Sequence, residues 1–393
     1  MSKEYDFDEI LERRGSGALK VDSLKKYFGC DDLIPMWVAD MDFRTPDFIV
    51  ESLKNRVQHE IFGYPTIPQG YYPSIVNWLK RKHGWEISPD FLSFIPGVVK
   101  GFTFAILHFT KPGEKVIIQP PVYSPFHSVP RMQGRNLLLN PLKLDNGVYQ
   151  MDLEHLRKNI DKDCTMMILC NPHNPIGITW DRETLKELAE ICYENNVLVV
   201  SDEIHSDMAI FGNKHIPFAT VSDEAKENSI TLMAPSKTFN MAGLVSSFAI
   251  VPDGKIRKSF FDFLIACELN NAHIFAPVAT QAAYEEGDEW LRQMLQYLEK
   301  NILFIDEYLK KNIPQIKAFI PQASFLIWLD CRALGLSQEA LVDFFINKAK
   351  LALNSGAMFG DEGLGFMRMN IACAKQTIET ALGNLNNSVR GTR

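Results

Sequence analysis

The sequence predicts an α/β protein in which a large domain, built on a mostly parallel sheet, is followed by a smaller α+β domain. Between about residues 115 and 252, runs of apolar and β-branched residues alternate with a helical pattern. Such alternation favours a parallel sheet with right-handed crossovers. From about residue 288 the order changes to a long helical stretch followed by single strands and a further helix, which is typical of an α+β domain.

The strands of the large domain are predicted from apolar runs, because a strand buried on both faces shows no polar alternation. A helix is predicted over about 181–195, since Leu185, Leu188 and Cys192 recur on one face and Asp181 can cap the first turn. Another helix is predicted after Gly97. The strands are predicted at 115–120, 165–172, 197–205, 229–237 and 246–252.

The chain is predicted to divide into an N-terminal segment (1–50), a large domain (51–287) and a small domain (288–393). The N-terminal segment is irregular and polar. We expect it to pack with the small domain, because chain ends often lie close together. Within the small domain we predict a long helix from residue 288, a strand at 323–330 and a helix at 337–350, followed by the run "GFMRMNIAC" at 365–373.

Composition excludes several classes of function. The net charge of −7 and the lack of a basic cluster disfavour nucleic acid as a partner. No apolar run reaches the ~18 to 20 residues of a membrane span, and the acidic N-terminus does not read as a secretion signal. The seven cysteines form no CxxC pair, so we predict neither a disulfide framework nor a metal site. These features predict a cytoplasmic protein.

Three polar residues are predicted at one edge of the sheet. Asn174 follows the run at 165–170, Asp202 ends "VLVVS", and Lys237 ends "ITLMAPS". Ligands of open parallel sheets bind at the carboxyl ends of the strands. An amide, a carboxylate and an amine are therefore expected to converge there.

A phosphate site is predicted beside them. Gly97 precedes a helix, and a helix N-terminus presents free backbone N–H groups to an anion. A lysine, a carboxylate and a phosphate site together indicate pyridoxal 5′-phosphate. The lysine amine can form an imine with the aldehyde, and the carboxylate can keep the pyridine nitrogen protonated. Opposite charges ~4 Å apart attract by about 4 kcal/mol at an effective dielectric of 20. This attraction would raise the pKa of the pyridine nitrogen by about three units before the cost of desolvation is subtracted.

The motifs "NPHNPIG", "SDEIH" and "SKTFNMAG" resemble the active-site motifs of the aminotransferase superfamily, the fold-type I pyridoxal-phosphate enzymes. "WVADMDF", "FGYP" and "PPVYSPF" narrow the resemblance to its cystathionine β-lyase (C–S lyase) branch, the MalY/PatB family. The similarity runs from "RRGSGALKVD" to "GFMRMNIA". It implies the PLP-dependent transferase fold of type I, a homodimer with a shared active site, and an amino-acid substrate.

The resemblance also implies a role for individual residues around the cofactor ring. Lys237 would be the Schiff-base lysine. Asp202 would pair with the pyridine nitrogen, and Asn174 would hydrogen-bond the ring hydroxyl. Tyr123 would stack on the ring, and with Lys237 and Asp202 it would form the catalytic set. Without the resemblance, core packing is an equal explanation for Tyr123, and turn formation is a rival explanation for Asn174.

Other positions would bind the phosphate and the substrate. Backbone N–H groups of Val99 and Lys100, and the hydroxyl of Ser236, would bind the phosphate. Tyr64 would reach it from the other subunit. The resemblance further implies that Arg368 would clamp the substrate α-carboxylate, and that Ala39 and Tyr64 would lie at the substrate.

Two positions depart from the pattern of many aminotransferases. His205 stands where these have a tyrosine, and Val245 stands where these have an arginine that contacts the phosphate. We assign His205 to the cofactor site, although a packed, hydrogen-bonded histidine is the commoner case. Both departures favour a lyase over a transaminase.

The predicted activity is β-elimination of L-cystathionine or a related cysteine S-conjugate to pyruvate, ammonia and a thiol. One alternative is an aminotransferase on the same scaffold. A second alternative is a regulator that uses this fold to bind another protein, although every catalytic position is filled.

Overall fold

We describe residues 3–391 in a computed structural model. The α-helices, in chain order, are α1 (Leu19–Asp22), α2 (Leu24–Phe28), α3 (Asp47–Gln58), α4 (Tyr71–His83), α5 (Val98–Phe109), α6 (Pro125–Met132), α7 (Leu153–Asn159), α8 (Arg182–Glu194), α9 (Asp223–Glu227), α10 (Gly254–Ala266), α11 (Ala276–Glu286), α12 (Asp288–Asn312), α13 (Gln338–Asp343) and α14 (Lys375–Arg390).

The strands build one large sheet and several small ones. They are β1 (Ile34–Pro35), β2 (Leu92–Ile95), β3 (Lys115–Ile118), β4 (Asn136–Leu139), β5 (Lys143–Asp145), β6 (Val148–Gln150), β7 (Cys164–Cys170), β8 (Leu198–Asp202), β9 (Ser229–Met233), β10 (Ser247–Ile250), β11 (Lys317–Phe319), β12 (Leu326–Asp330), β13 (Leu351–Ala352), β14 (Asn354–Ser355) and β15 (Phe366–Asn370).

The large sheet has seven strands in the order β2-β10-β9-β8-β7-β3-β4. The pairs from β9 to β4 are parallel, and β10 runs antiparallel to both of its neighbours. The sheet is therefore mostly parallel, as predicted. Its central strands are buried on both faces, which explains the unbroken apolar runs in the sequence.

Helices cover both faces of this sheet. Met167 and Leu169 of β7 enter a core cluster with the apolar face of α8, whereas Met166 and Ile168 enter another with α5. Successive residues of a strand point to opposite faces, so β7 supplies both layers. The carboxylate of Asp181 accepts a hydrogen bond from Thr184 N, which confirms the predicted cap of α8.

The C-terminal region carries a second sheet, ordered β11-β12-β15-β14 and antiparallel throughout. Helix α12 spans the predicted long helix and packs beside α14. The N-terminal segment reaches this region, because β1 pairs in parallel with β13. The three-part division of the chain stays a prediction.

Several strands end earlier than predicted. β8 ends at Asp202 and β9 ends at Met233, so Lys237 lies four residues beyond its strand and not at the strand end. Residues 235–241 form a turn in which Phe239 N bonds Pro235 O and Met241 N bonds Ser236 O. Pro235 has no N–H for the sheet ladder, which accounts for the early stop.

The predicted helix at 337–350 is also shorter and changes type. Helix α13 gives way to a π-helical turn, Phe344–Lys348, before β13 begins. No helix within residues 3–391 is long and apolar enough to cross a membrane.

Candidate active site

A cavity of about 250 Å³ opens at the carboxyl ends of β7 and β8, beside the turn that carries Lys237. Its walls come from β-strand ends, from the N-terminus of α5 and from the N-terminal segment. The residues that line it are Ala39, Pro96, Gly97, Val98, Val99, Lys100, Tyr123, Cys170, Asn174, Asp202, Ile204, His205, Ser236, Lys237, Ala242, Val245, Ser246 and Ser247. The fold thus collects residues from six distant parts of the sequence.

Asp202 is the last residue of β8, directly opposite Cys170 of β7. Its carboxylate accepts one hydrogen bond, from Ile204 N at 3.1 Å, and no basic side chain among the described residues forms an ion pair with it. Burial raises the pKa of Asp202 to about 7. A buried carboxylate without a cation is costly, so this site is suited to a positively charged guest.

Lys237 is half-buried, and no carboxylate among residues 3–391 forms an ion pair with its amine, although the negative charges of Asp40 and Asp202 act on it from farther away. Nζ donates a hydrogen bond to the backbone oxygen of Ala39 at 2.6 Å. Burial and the positive charge of Arg368 lower the pKa of Lys237 to about 8. A lysine with a lowered pKa is a stronger nucleophile and a better general base near neutral pH than an exposed one.

A cradle of donors lies on the side of the cavity formed by α5. Gly97 has a φ of 118°, a conformation that side chains disfavour, and it turns the chain into the helix. The first backbone N–H groups of α5, at Val98 to Lys100, have no acceptor within the helix and carry the positive end of its dipole. The hydroxyl-bearing residues Ser236, Ser246 and Ser247 line the cavity near this cradle.

Arg368 is part of β15, and its side chain contacts Asn174. Its Nη1 donates to Asn174 Oδ1 at 3.0 Å, and its Nη2 donates to Trp37 O at 2.9 Å and to Asn354 Oδ1 at 2.6 Å. Its Nε is buried with no partner among the described residues. None of the three acceptors carries a charge, so the buried guanidinium lacks a counter-anion.

His205 contributes a neutral imidazole to the cavity. Burial and the neighbouring charges of Lys237 and Arg368 lower its pKa to about 3. Its Nδ1 is buried without a hydrogen-bond partner among residues 3–391. The ring is therefore available to a guest as a neutral hydrogen-bonding group, not as a cation.

Tyr123 and Tyr64 differ sharply in placement. Tyr123 lines the cavity, and its backbone N–H donates to Asn174 O at 3.1 Å. Burial raises the pKa of its hydroxyl. Tyr64 does not reach the cavity of this chain: its side chain is fully exposed in the segment 59–69, which has neither helix nor strand.

The segment 36–43, here called the strap, covers one side of the cavity. Asn370 Nδ2 donates to the backbone oxygens of Val38 and Asp40 at 2.5 and 2.6 Å. Asn240 accepts from Met41 N and donates to the oxygens of Met41 and Phe43, at 2.8–3.0 Å.

Two basic residues that do not line the cavity form ion pairs with the strap. Arg13 pairs with Asp40 and Asp42, and the buried Lys20 lies 2.7 Å from Asp42. Sequence reasoning missed Asn240, Asn370 and these pairs. The ion pairs could have been predicted only from the two acids in "WVADMDF" and the basic residues upstream of them. Opposite charges in segments that pack together tend to pair.

The residues present fit pyridoxal 5′-phosphate. The donors of α5 and the serines suit a phosphate, while the uncompensated Asp202 suits a protonated ring nitrogen. Lys237 suits an aldehyde, since its amine is poorly stabilised as a cation. Asn174 Nδ2 remains free to donate, because Arg368 uses only the amide oxygen. Among residues 3–391, Lys100 is the only basic side chain that lines the cavity beside the N-terminus of α5, so we expect backbone and hydroxyl donors to carry most of the phosphate binding.

A fold and a site of this kind define a class of pyridoxal-phosphate enzymes, and comparison with known proteins agrees. The chain belongs to the aminotransferase class I and II family, whose profile matches residues 31–385, and within it to the branch that the sequence motifs indicate. It is 44% identical over 378 residues to cystathionine beta-lyase PatB of Bacillus subtilis (strain 168), covering 96% of this chain and 98% of that one.

Two solved structures show how closely the fold is shared. Cystalysin from Treponema denticola, which contains pyridoxal 5′-phosphate, is 32% identical and has a TM-score of 0.96, with 100% of each chain covered. A pyridoxal-phosphate-bound structure from Clostridium difficile 630, described as a candidate aminotransferase, is 45% identical with a TM-score of 0.96, covering 98% of this chain and 100% of that one. The predicted family and fold class are confirmed.

Proposed function

We propose that this protein is a pyridoxal-phosphate-dependent C–S β-lyase that acts on L-cystathionine or a related cysteine S-conjugate. One observation carries the proposal: Lys237, Asp202 and Arg368 are brought together in and behind one cavity, and none of the three forms a direct ion pair among residues 3–391, although Lys237 and Asp202 attract each other at longer range. Such charges are costly unless a ligand completes them. A cofactor with a protonated nitrogen, together with an amino-acid carboxylate, supplies the missing partners.

When bound, pyridoxal phosphate supplies an electron sink for the bond that breaks at the substrate α-carbon. The residues of this chain do the rest. Arg368 binds the α-carboxylate, for which its Nε is already buried and free. The Lys237 amine takes the α-proton, for which its lowered pKa prepares it. Asp202 would hold the pyridine nitrogen protonated when the cofactor is bound, because its carboxylate has no ion-pair partner among residues 3–391.

Elimination then breaks the bond between the substrate β-carbon and sulfur. The sulfur leaves with the bonding electron pair as a thiolate, and the remaining aminoacrylate hydrolyses to pyruvate and ammonia. The neutral His205 adds no further positive charge to the cavity that already holds Lys237. The strap contacts the Lys237 amine through the backbone oxygen of Ala39.

The choice of lyase over transaminase rests on relatives and on two residues. PatB is named a cystathionine beta-lyase, and a structure from Staphylococcus hominis with a TM-score of 0.92 is named a C–S lyase. His205 and Val245 occupy positions where many aminotransferases have a tyrosine and an arginine. An aminotransferase remains the second candidate, because the Clostridium difficile structure is described as one.

We also propose a homodimer in which Tyr64 completes the site of the partner. Every residue from 57 to 66 is exposed, and the large apolar side chains there include Val57, Ile61, Phe62 and Tyr64. An exposed apolar run of this kind indicates a surface that another chain covers. A cytoplasmic location stays a prediction from the composition.

A product assay tests the proposed activity. Purified holoenzyme is given L-cystathionine in one reaction, and L-alanine or L-aspartate with a 2-oxo acid in another. We expect pyruvate, ammonia and a free thiol in the first reaction, at a rate well above oxo-acid formation in the second. The matched control is Lys237→Ala, which should lose both activities. A rate ratio below one would overturn the lyase proposal in favour of the aminotransferase.

A further inference from the structure

The residue after Lys237 is fixed by a buried carboxylate outside the cavity. Thr238 is completely buried, and its hydroxyl donates to Asp207 Oδ2 at 3.0 Å. The other carboxylate oxygen, Oδ1, lies 2.9 Å from His83 Nε2 and accepts from Trp78 Nε1 at 2.9 Å. Neither Asp207 nor His83 lines the cavity that holds Lys237.

Asp207 is held as a carboxylate. Burial by itself would raise its pKa, but hydrogen bonds from His83, Trp78 and Thr238 outweigh burial and lower the pKa. An ionised carboxylate only accepts hydrogen bonds, so the Thr238 hydroxyl must donate and its rotamer is fixed. Hydrogen bonds to charged groups are among the stronger ones in proteins.

This contact links the two loops that carry the proposed catalytic residues. Asp207 lies in the short 3-10 turn Ser206–Met208, soon after Asp202 ends β8. Thr238 lies in the turn 235–241 beside Lys237. The same turn is also held by Asn240, which bonds the strap. Thr238 and Asn240 therefore fix the chain on either side of Phe239, and Thr238 is the residue directly after Lys237.

We propose that Asp207 is a positioning residue for Lys237, acting through the hydroxyl of Thr238, and that it sets the direction from which the amine enters the cavity. The inference rests on the proposed role of Lys237. A misplacement of about 1 Å in a reacting group can cost about a hundredfold in rate. The hydrogen bond at 3.0 Å is the contact that would prevent such a shift.

The test follows how fast Lys237 captures the cofactor. Cofactor-free protein is mixed with pyridoxal phosphate, the rise in visible absorption is timed, and borohydride reduction with peptide mapping locates the adduct. Thr238→Val removes the hydroxyl at nearly constant shape, and Thr238→Ser keeps it. Thr231→Val is the matched control, because Thr231 is equally buried in the preceding strand and its hydroxyl has no partner among the described residues.

We expect Thr238→Val to slow the capture about tenfold or more, and Thr238→Ser and Thr231→Val to stay within about threefold of wild type. Asp207→Asn should slow the capture of the cofactor by a similar factor. The double variant of Asp207→Asn and Thr238→Val should be little slower than either single variant, because both substitutions remove the same contact. Thermal unfolding of each cofactor-free variant checks that the fold is kept.

Two results would contradict the inference. Equal capture rates in wild type and Thr238→Val would remove the positioning role while leaving the proposed function intact. Failure of Thr238→Ser to rescue a slow Thr238→Val variant would assign the effect to packing. If wild-type protein itself forms no adduct at Lys237, the proposed function fails first, and the inference with it.

Discussion

The Lys237 amine donates a hydrogen bond to the backbone oxygen of Ala39, with 2.6 Å between the two atoms. A residue in the N-terminal segment thus contacts a residue 198 positions later in the chain. Because the acceptor is a main-chain atom, substitution of Ala39 cannot remove it. The contact depends instead on the side chains that hold the strap in place.

Asn240 is the first of these side chains to test. Asn240→Gly removes the hydrogen bonds to Met41 and Phe43, and glycine tolerates the positive φ of 52° at this position. We expect a looser strap and a KM for the amino-acid substrate raised about tenfold, since each lost hydrogen bond contributes roughly 1 kcal/mol. Steady-state kinetics measure this KM. Asn347→Ala on the surface is the control, and an unchanged KM for Asn240→Gly would refute the role of the strap.

Lys237 should carry the cofactor. Borohydride reduction of the holoenzyme is expected to leave the pyridoxyl group on the peptide that contains Lys237, because its amine lines the cavity with a pKa of about 8. Peptide mass spectrometry locates the modification. Lys100 lines the same cavity and serves as the internal control. Modification of Lys100 in place of Lys237 would show that the assignment is wrong.

The ionised side chain of Asp202 should lower the free energy of unfolding of the cofactor-free protein. Its pKa is raised from 3.8 to about 7, so the folded protein favours the protonated acid. The cost of ionisation begins above the unfolded pKa near 4 and is complete above pH 7. At pH 8 we therefore expect the free energy of unfolding of Asp202→Asn to exceed that of wild type by about 2 to 4 kcal/mol. The variant should accordingly unfold at a higher denaturant concentration. The difference should vanish as the pH falls toward 4.

The same substitution should reduce activity by orders of magnitude, because the neutral amide cannot hold the ring nitrogen protonated. Urea unfolding of the cofactor-free forms at several pH values, with the product assay on the holo forms, gives both readouts. Asp163→Asn, at an exposed position, is the control for charge removal. Equal stability of wild type and Asp202→Asn at pH 8 would contradict the buried, unpaired carboxylate.

Tyr64 should act across a dimer. A Tyr64→Ala variant and a Lys237→Ala variant, each inactive or nearly so alone, are mixed under conditions that allow subunit exchange. Hybrid dimers then contain one site with both native residues, so part of the activity should return. The exposed Tyr27 gives the control Tyr27→Ala, which should be active without mixing. No recovery after exchange has been verified would count against a shared site.

The sequence predicted the parallel sheet well because its strands carry their own signal. β7, β8 and β9 are rich in apolar and β-branched residues, and Asp181 caps α8 as its position before an amphipathic run indicates. The predicted end of β9 was wrong although Pro235 marks the stop, and the turn that follows could not be predicted because it depends on contacts of Thr238 and Asn240 with distant segments.

The site was predicted in part. Strand order brings Asn174, Asp202 and the Lys237 turn to one edge, so these could be inferred from the strands alone. Contacts between distant segments could not. Neither the bond of Lys237 to Ala39 nor that of Thr238 to Asp207 has a local sequence pattern, because each joins segments more than 30 residues apart.

The exposed segment 57–66 has a consequence for the life of the protein in the cell. An exposed stretch outside helices and strands, such as residues 59–66, is where proteases cut most readily. On a paired chain the partner would shield it, whereas on a single chain it would be open to cleavage. Turnover would then remove unpaired chains first. A substitution that weakens pairing far from the cavity would appear in cells as low abundance of the protein, with normal catalysis in whatever survives.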